Sequence, residues 1–262
     1  MKISIIGAGN MGGAIARGIA VSQPEVALSV SSPNRHGELD RLAAYSSSIA
    51  VTTSNTECIA GADYIVVAVK PWLLATVIDE IAPVADFSRQ TLVSIVAGVS
   101  CSDILAMLPG GIAPAGVVRV IPNTAIAVME SVNFVTFKDT PQERQDALLK
   151  VLEPLGMSMP VEERLMGAGT ALASCGIAYA FRYIRAAAEG GVELGFYPDQ
   201  AKKIVMKTLL GAVKLLEASG ENPETEIDKV TTPGGITIKG LNAMERNGFT
   251  NAVIEGLKNS CK

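Results

Sequence analysis

Ile3-Ser4-Ile5-Ile6-Gly7-Ala8-Gly9-Asn10-Met11-Gly12 is the stretch that decides the fold. A short apolar run starting at residue 2 leads into Gly-x-Gly-x-x-Gly, and a helical pattern opens behind it. Strand, glycine turn, helix is the order in which this motif binds a dinucleotide. Gly7 permits the tight turn, Gly9 lets a pyrophosphate approach the backbone, and Gly12 lets the helix pack closely on the strand. The helix N-terminus offers free amides and a partial positive charge to that pyrophosphate. Gly7, Ala8, Gly9, Asn10, Met11 and Gly12 are therefore expected to bind the cofactor.

Working outward, short Val- and Ile-rich runs at 2–6, 26–30, 64–69, 91–96, 117–121 and 134–137 alternate with helical patterns at 11–20, 73–81, 101–107 and 142–152. Runs that are apolar on both faces suit strands buried in a parallel sheet. The alternation predicts an α/β fold, a doubly wound Rossmann-type parallel sheet. From residue 161 the texture changes and no strand is expected. Helical patterns cover 163–189 and 199–218, the second after Pro198 with Asp199 as N-cap, and shorter ones cover 236–246 and 251–260. The predicted division is a dinucleotide-binding domain at 1–160 and an all-helical C-terminal domain at 161–262 for substrate binding and dimerisation.

The second strand ends in Val30-Ser31-Ser32-Pro33-Asn34-Arg35, without the acid that usually accepts from the ribose hydroxyls of NAD. Hydroxyls, an amide and a guanidinium suit a 2′-phosphate. Ser31, Ser32, Asn34 and Arg35 are thus expected to bind NADP(H), with NAD(H) as a second cofactor. Ligands of a doubly wound sheet lie beyond the carboxyl ends of its strands. This places Ala68, Val69, Lys70 and Pro71, then Ala97, then Asn123 along the cofactor crevice.

Composition excludes several other classes. The chain has 262 residues, 22 basic and 26 acidic side chains, four cysteines and a single histidine. There is no basic excess to attract nucleic acid. His36 alone cannot build a multi-histidine metal site, and it is the only imidazole available to a nucleophile pair; no metal is expected. Cys58, Cys101, Cys175 and Cys261 form no Cys-x-x-Cys and read as reduced thiols of a cytoplasmic protein. The longest uncharged stretch, 165–181, is short and polar for a membrane span and reads as a buried helix at a subunit contact.

Lined up together, these motifs resemble the pyrroline-5-carboxylate reductases over nearly the full length. The carriers are Gly7 to Gly12, Val67-Ala68-Val69-Lys70-Pro71, Ala97-Gly98, Val118-Arg119-Val120-Ile121-Pro122-Asn123-Thr124 and, most specific, Val230-Thr231-Thr232-Pro233-Gly234-Gly235-Ile236-Thr237. The resemblance implies NADP(H)-dependent reduction of the cyclic imine 1-pyrroline-5-carboxylate to L-proline, the last step of proline biosynthesis. It also implies a homodimer or a ring of dimers through the helical domain, with a small-molecule substrate as the other partner. Carried over, Asn55 lies near the adenosine, Glu163 is a substrate-proximal acid, and Thr232, Gly234, Gly235 and Ile236 hold the substrate.

The residues themselves agree with that substrate loop. Free amides behind Pro233-Gly234-Gly235, with the helix dipole, make an anion site for a carboxylate, and Thr237 can hydrogen-bond the ring nitrogen as the catalytic polar group. The competing reading of the loop is a plain turn with Thr232 capping the helix. Two features depart from the family pattern. Ala173-Ser174-Cys175-Gly176-Ile177 lacks the family's proline, and Ile236 stands where a small residue is common. Cys175 has no basic partner in sequence and reads as buried packing. The alternatives to imine reduction are an NADP-dependent 3-hydroxyacid dehydrogenase-like oxidoreductase and a non-catalytic NADP(H)-binding protein. Replacing Arg35 by Ala should raise the Michaelis constant for NADPH and leave that for NADH nearly unchanged. An unaltered ratio of the two would remove Arg35 from cofactor selection.

Overall fold

The computed structural model describes residues 1–34, 36–111 and 114–261. Arg35, assigned above to the 2′-phosphate, lies outside the described residues. The chain forms two compact units, residues 1–174 and 175–262. The expected boundary at 160/161 falls at the end of the last strand.

In the first unit, eight strands make one sheet: β1 (Lys2–Ile6), β2 (Ala27–Ser31), β3 (Ile49–Thr52), β4 (Tyr64–Val67), β5 (Thr91–Ser94), β6 (Val117–Ile121), β7 (Ser131–Lys138) and β8 (Gly156–Pro160). Their order is β3-β2-β1-β4-β5-β6-β7-β8. The helices between them are α1 (Asn10–Ser22), α2 (His36–Tyr45), α3 (Asn55–Cys58), α4 (Leu74–Ile81), α5 (Cys101–Ala106) and α6 (Gln142–Leu152).

Alternation along each strand builds the two helical layers. Ile3 and Ile5 of β1, Tyr64 and Val66 of β4 and Val118 and Val120 of β6 join one apolar cluster with α1, α2 and α6. Ile6, Ile65, Val67, Leu92 and Val117 join another with α4 and α5. A residue step flips the side chain to the other face, so strands buried on both sides must be apolar throughout. Ile5, Val30 and Ile65 are fully buried, each contributing about 1.5–3 kcal/mol of transfer free energy.

The sheet is mixed rather than wholly parallel. β7 runs antiparallel to β6, with Val118 opposite Phe137, and β8 is parallel to β7. A continuous apolar run specifies burial and carries no information on direction, so the reversal had no sequence signal. β3, β8, α2 and α3 were also not expected, being short or polar.

In the second half the expected helix over 163–189 is broken. A 3-10 turn at Glu163–Leu165 leads into α7 (Met166–Gly169), a π-helical stretch Thr170–Cys175 and then α8 (Gly176–Glu193). α9 (Pro198–Ser219), α10 (Pro223–Val230), α11 (Ile236–Arg246) and α12 (Phe249–Ser260) follow. α9 starts with Pro198 in its first turn and Tyr197 as N-cap, not Asp199. Proline's fixed φ and missing N–H suit the first helical position, which moves the cap two residues upstream of Asp199.

Within the second unit α8 packs on α9, where a Cβ on Gly191 would stand 3.0 Å from the Cβ of Ala201. Tyr183 meets Phe249 edge-on, and the Tyr179 hydroxyl donates to the Gly256 carbonyl. Among the described residues of this unit only Ala201 is buried. The stretch 165–181, read as a buried helix, has only Met166, Gly169 and Ala171 buried in the single chain. Cys175 is half-buried rather than packed away. No helix among the described residues is long and apolar enough to cross a membrane.

Asn133 on β7 is fully buried, its Oδ1 has no partner, and its Nδ2 reaches Ser158 Oγ only at 3.4 Å. It borders an apolar void of about 20 Å³. An orphaned buried acceptor costs more than the single long bond returns. Asn133→Leu should therefore stabilise the protein by about 1 kcal/mol, read as a higher urea midpoint with an unchanged slope. A lower midpoint would mean that Asn133 is satisfied in solution.

Candidate functional site

The carboxyl ends of β1, β2, β4, β5 and β6 open on one cavity of about 630 Å³. That size falls within the range of ligand sites. The glycine turn forms its centre. Gly7 has a φ of +113°, and a Cβ there would meet the Ala68 carbonyl oxygen at 2.4 Å. A Cβ on Gly12 would lie 2.0 Å from the Gly7 oxygen, whereas one on Gly9 would meet nothing within 4 Å. The three glycines thus divide the work. Gly7 and Gly12 press α1 against β1 and β4, and Gly9 leaves open space over the first turn of α1. That turn has no side-chain cap and no acid, so its amides and dipole face the cavity unopposed. The chemistry of this cradle fits a pyrophosphate.

Of the expected cofactor residues, Gly7, Ala8, Gly9, Asn10 and Met11 line the cavity, as do Ser32, Asn34 and Asn55. So do Ala68, Val69, Lys70 and Ala97. Four are placed otherwise. Gly12 lies beneath the turn as a packing residue. Ser31 is fully buried and donates from its Oγ to Asn55 Oδ1 at 2.7 Å. Pro71 opens the 3-10 turn that follows Lys70 and is exposed. Asn123 is buried, its Oδ1 accepting from the Ala125 amide at 3.0 Å. Among the wall residues that were missed are Thr76 and Val77 of α4 and Thr170 and Ser174 of the π-helical stretch. The first two follow Lys70 by one to two helical turns. The second pair had no sequence signal beyond the lost proline. Both hydroxyls donate to main-chain carbonyls, Thr170 to Met166 at 2.8 Å and Ser174 to Pro122 at 3.1 Å.

The cavity also has an order. Ser32, Pro33, Asn34 and Asn55 sit beyond β2, the glycine turn and Lys70 beyond β1 and β4, and Ile95, Ala97, Ile121 and Pro122 beyond β5 and β6. An extended dinucleotide would lie across the strand ends with its adenosine over β2.

Glu163 stands away from that cavity wall. Its Oε1 accepts from Arg119 Nη1 at 2.7 Å and from the Cys101 amide, also at 2.7 Å. It thus ties the first 3-10 turn after the sheet to β6 and to the start of α5. Arg119 is nearly buried, and its Nε finds no partner. Burial pushes the Glu163 carboxyl up, but the Cys101 amide and the Arg119 guanidinium outweigh it and hold the group below the usual carboxylate range. The neighbouring Cys101 thiol is pushed up to about 12, by burial first and the Glu163 charge second. It is therefore a poor nucleophile at neutral pH.

The other expected substrate residues belong to the second unit. α10 ends at Val230, and Gly235 is the N-cap of α11. Gly234 has a φ of +72°, and a Cβ on Gly235 would meet Thr232 Oγ1 at 2.6 Å. The turn therefore requires both glycines for its own closure. Thr232 does not cap α11, and no side chain does, so the first amides of that helix are free, with exposed Ile236 and Thr237 on its first turn. Among the described residues there is no group of three or more acids, cysteines or histidines placed to hold a metal.

A dinucleotide cradle on a doubly wound sheet, followed by a helical unit in which α11 starts without a side-chain cap, defines a dinucleotide-binding protein of two units. A family model described as pyrroline-5-carboxylate reductase dimerisation matches residues 163–262, and one described as NADP oxidoreductase, coenzyme F420-dependent, matches residues 2–98. Pyrroline-5-carboxylate reductase 2 of Dictyostelium discoideum is 33% identical over 98% of this chain and 89% of its own length. Reductase 1 of the same organism is 35% identical over 98% of this chain, which spans about half (48%) of that longer relative. A solved structure from Plasmodium falciparum, a pyrroline carboxylate reductase with NADP bound, superposes with a TM-score of 0.87 at 27% identity, covering 100% of this chain and 95% of that one. The chain belongs to the pyrroline-5-carboxylate reductase family.

The Glu163 cluster gives a pH test. A carboxyl whose folded pKa is depressed stabilises the fold fully above its unfolded pKa, about 4.3. That contribution is lost as pH falls through the lower folded value. Glu163→Gln should lower stability at pH 7, and the gap to wild type should narrow as pH falls below the usual carboxylate range. Urea unfolding at pH 7 and at a series of lower pH values checks it, and a gap that does not change with pH would contradict the ionic role.

Proposed function

We propose that the protein reduces 1-pyrroline-5-carboxylate to L-proline with NADP(H). The observation that carries this reading is the uncapped, glycine-cradled start of α1 facing a dinucleotide-sized cavity, in a chain of this family. When bound, the reduced nicotinamide supplies a hydride to the imine carbon. The imine nitrogen arrives protonated, so the C=N π electrons come to rest on nitrogen as the hydride forms the new C–H bond. No protein base is consumed, which suits a chain with one histidine.

The chain's own residues bind and orient. The free amides of α1 hold the pyrophosphate, and those of α11 hold the substrate carboxylate. The Thr237 hydroxyl, which makes no hydrogen bond among the described residues, accepts from the ring N–H and fixes the imine for attack. Orientation of this kind provides much of the rate gain. The dimerisation family match over 163–262 and the exposed apolar helices of the second unit support a homodimer or a ring of dimers. Four cysteines outside any disulfide support a cytoplasmic setting.

The test is oxidation of NADPH, followed by absorbance, with pyrroline-5-carboxylate as acceptor. Turnover is expected, and Thr237→Ala should cut kcat/KM by about tenfold or more. Turnover with a 3-ketoacid but not with the imine would favour the hydroxyacid dehydrogenase reading. Tight NADPH binding with neither activity would favour a binding protein.

A further inference from the structure

Glu80 lies outside every motif described above and is exposed, yet it bonds to Asn55, which lines the cavity beside Ser32 and Asn34. It sits on α4 one turn beyond Thr76 and Val77, on the same helix face, and those two residues line the cavity. Its Oε2 accepts from Asn55 Nδ2 at 2.7 Å. Asn55 is 3% exposed and also lines the cavity. The other side of its carboxamide is taken by Ser31, whose Oγ donates to Oδ1 at 2.7 Å.

The two partners differ in what they permit. A serine hydroxyl donates and accepts, so Ser31 tolerates either orientation of the carboxamide. A carboxylate only accepts. Turning the amide over would set Oδ1 against the Glu80 charge and lose the bond. Glu80 therefore selects the orientation. One of the two Nδ2–H groups is spent on Glu80, and the amide has one N–H left for a ligand.

That remaining donor has a consequence for cofactor choice. A ribose 2′-hydroxyl can meet either an N–H or a C=O. A 2′-phosphate only accepts, so it needs the N–H. We propose that Glu80 is a positioning residue for NADP(H) selectivity, locking Asn55 with its N–H toward the 2′-phosphate. The proposal rests on the dinucleotide reading of the cavity. It carries an unusual sign. Coulomb repulsion alone would have removal of a nearby carboxylate tighten NADPH, whereas loss of the lock weakens it.

Glu80→Gln tests this, because glutamine keeps the size and the bond but both donates and accepts, and so frees the amide to turn. Calorimetric titration gives the dissociation constants of NADPH and NADH for wild type, Glu80→Gln, Asn55→Ala and the double variant. Glu80→Gln should weaken NADPH by about two- to fivefold, leave NADH within error, and leave the melting temperature unchanged. In the Asn55→Ala background it should add nothing, since Glu80 acts through Asn55. Unchanged or tighter NADPH binding, or an effect that persists without Asn55, overturns the proposal. If wild type binds neither dinucleotide, the cofactor reading itself falls, and this proposal with it.

Discussion

Everything in the first unit is hung on a backbone contact with no room in it. The Gly7 carbonyl faces the Cα of Gly12 so closely that an added methyl would stand 2.0 Å from the oxygen, and Gly7 itself is pressed on Ala68 at the end of β4. The Gly7 amide donates to the Ser31 carbonyl at the end of β2. One turn therefore fixes the ends of three neighbouring strands and the axis of α1 together. Two consequences follow from the same packing. The α1 N-terminus is aimed along the strand ends, and the strand ends are brought level enough to share one groove. A side chain at either glycine would shift both at once, so binding and folding are served by the same absence of atoms.

How much of this was legible depends on what each residue had to tell. The bounds of β1, β6, α6 and α11 coincide with their sequence patterns, because each is long or strongly apolar and closed by Gly, Pro or Asn. β3 and β8 were missed because four- and five-residue strands at a sheet edge bury little and need little apolar character. The reversal of β7 was invisible, since pairing direction is set by the length and path of a connection rather than by side-chain type. In the site, the rule that ligands gather at strand ends found the glycine turn, Asn34, Lys70 and Ala97. It could not find Thr76 or Val77, which reach the cavity from a helix, nor the pairing of Asn55 with Glu80, which are 25 residues apart.

Glu163 shows the difference between where a residue stands and what it touches. Family resemblance supplied a position near the substrate. The structure supplies its partners, a nearly buried guanidinium and a helix-start amide. Such a carboxylate is held in its charged form by neighbours that would be left unpaired without it. Whatever else it does, it fastens β6 and the start of α5 to the segment that leads out of the sheet.

The helical unit, in which Ala201 is the one buried residue described, has a thermodynamic meaning of its own. Helices of this length bring little intrinsic stability in water, and most of what a native helix has comes from a covered apolar face. Phe181, Leu194, Met206, Leu210, Val213 and Leu215 are all exposed in the single chain. If a second copy covers them, the free energy of this unit includes a mass-action contribution, and dilution acts on it as a denaturant does. The two halves of the polypeptide then obey different laws. The sheet unit has a stability that belongs to the chain, and the helical unit has one that belongs to the solution.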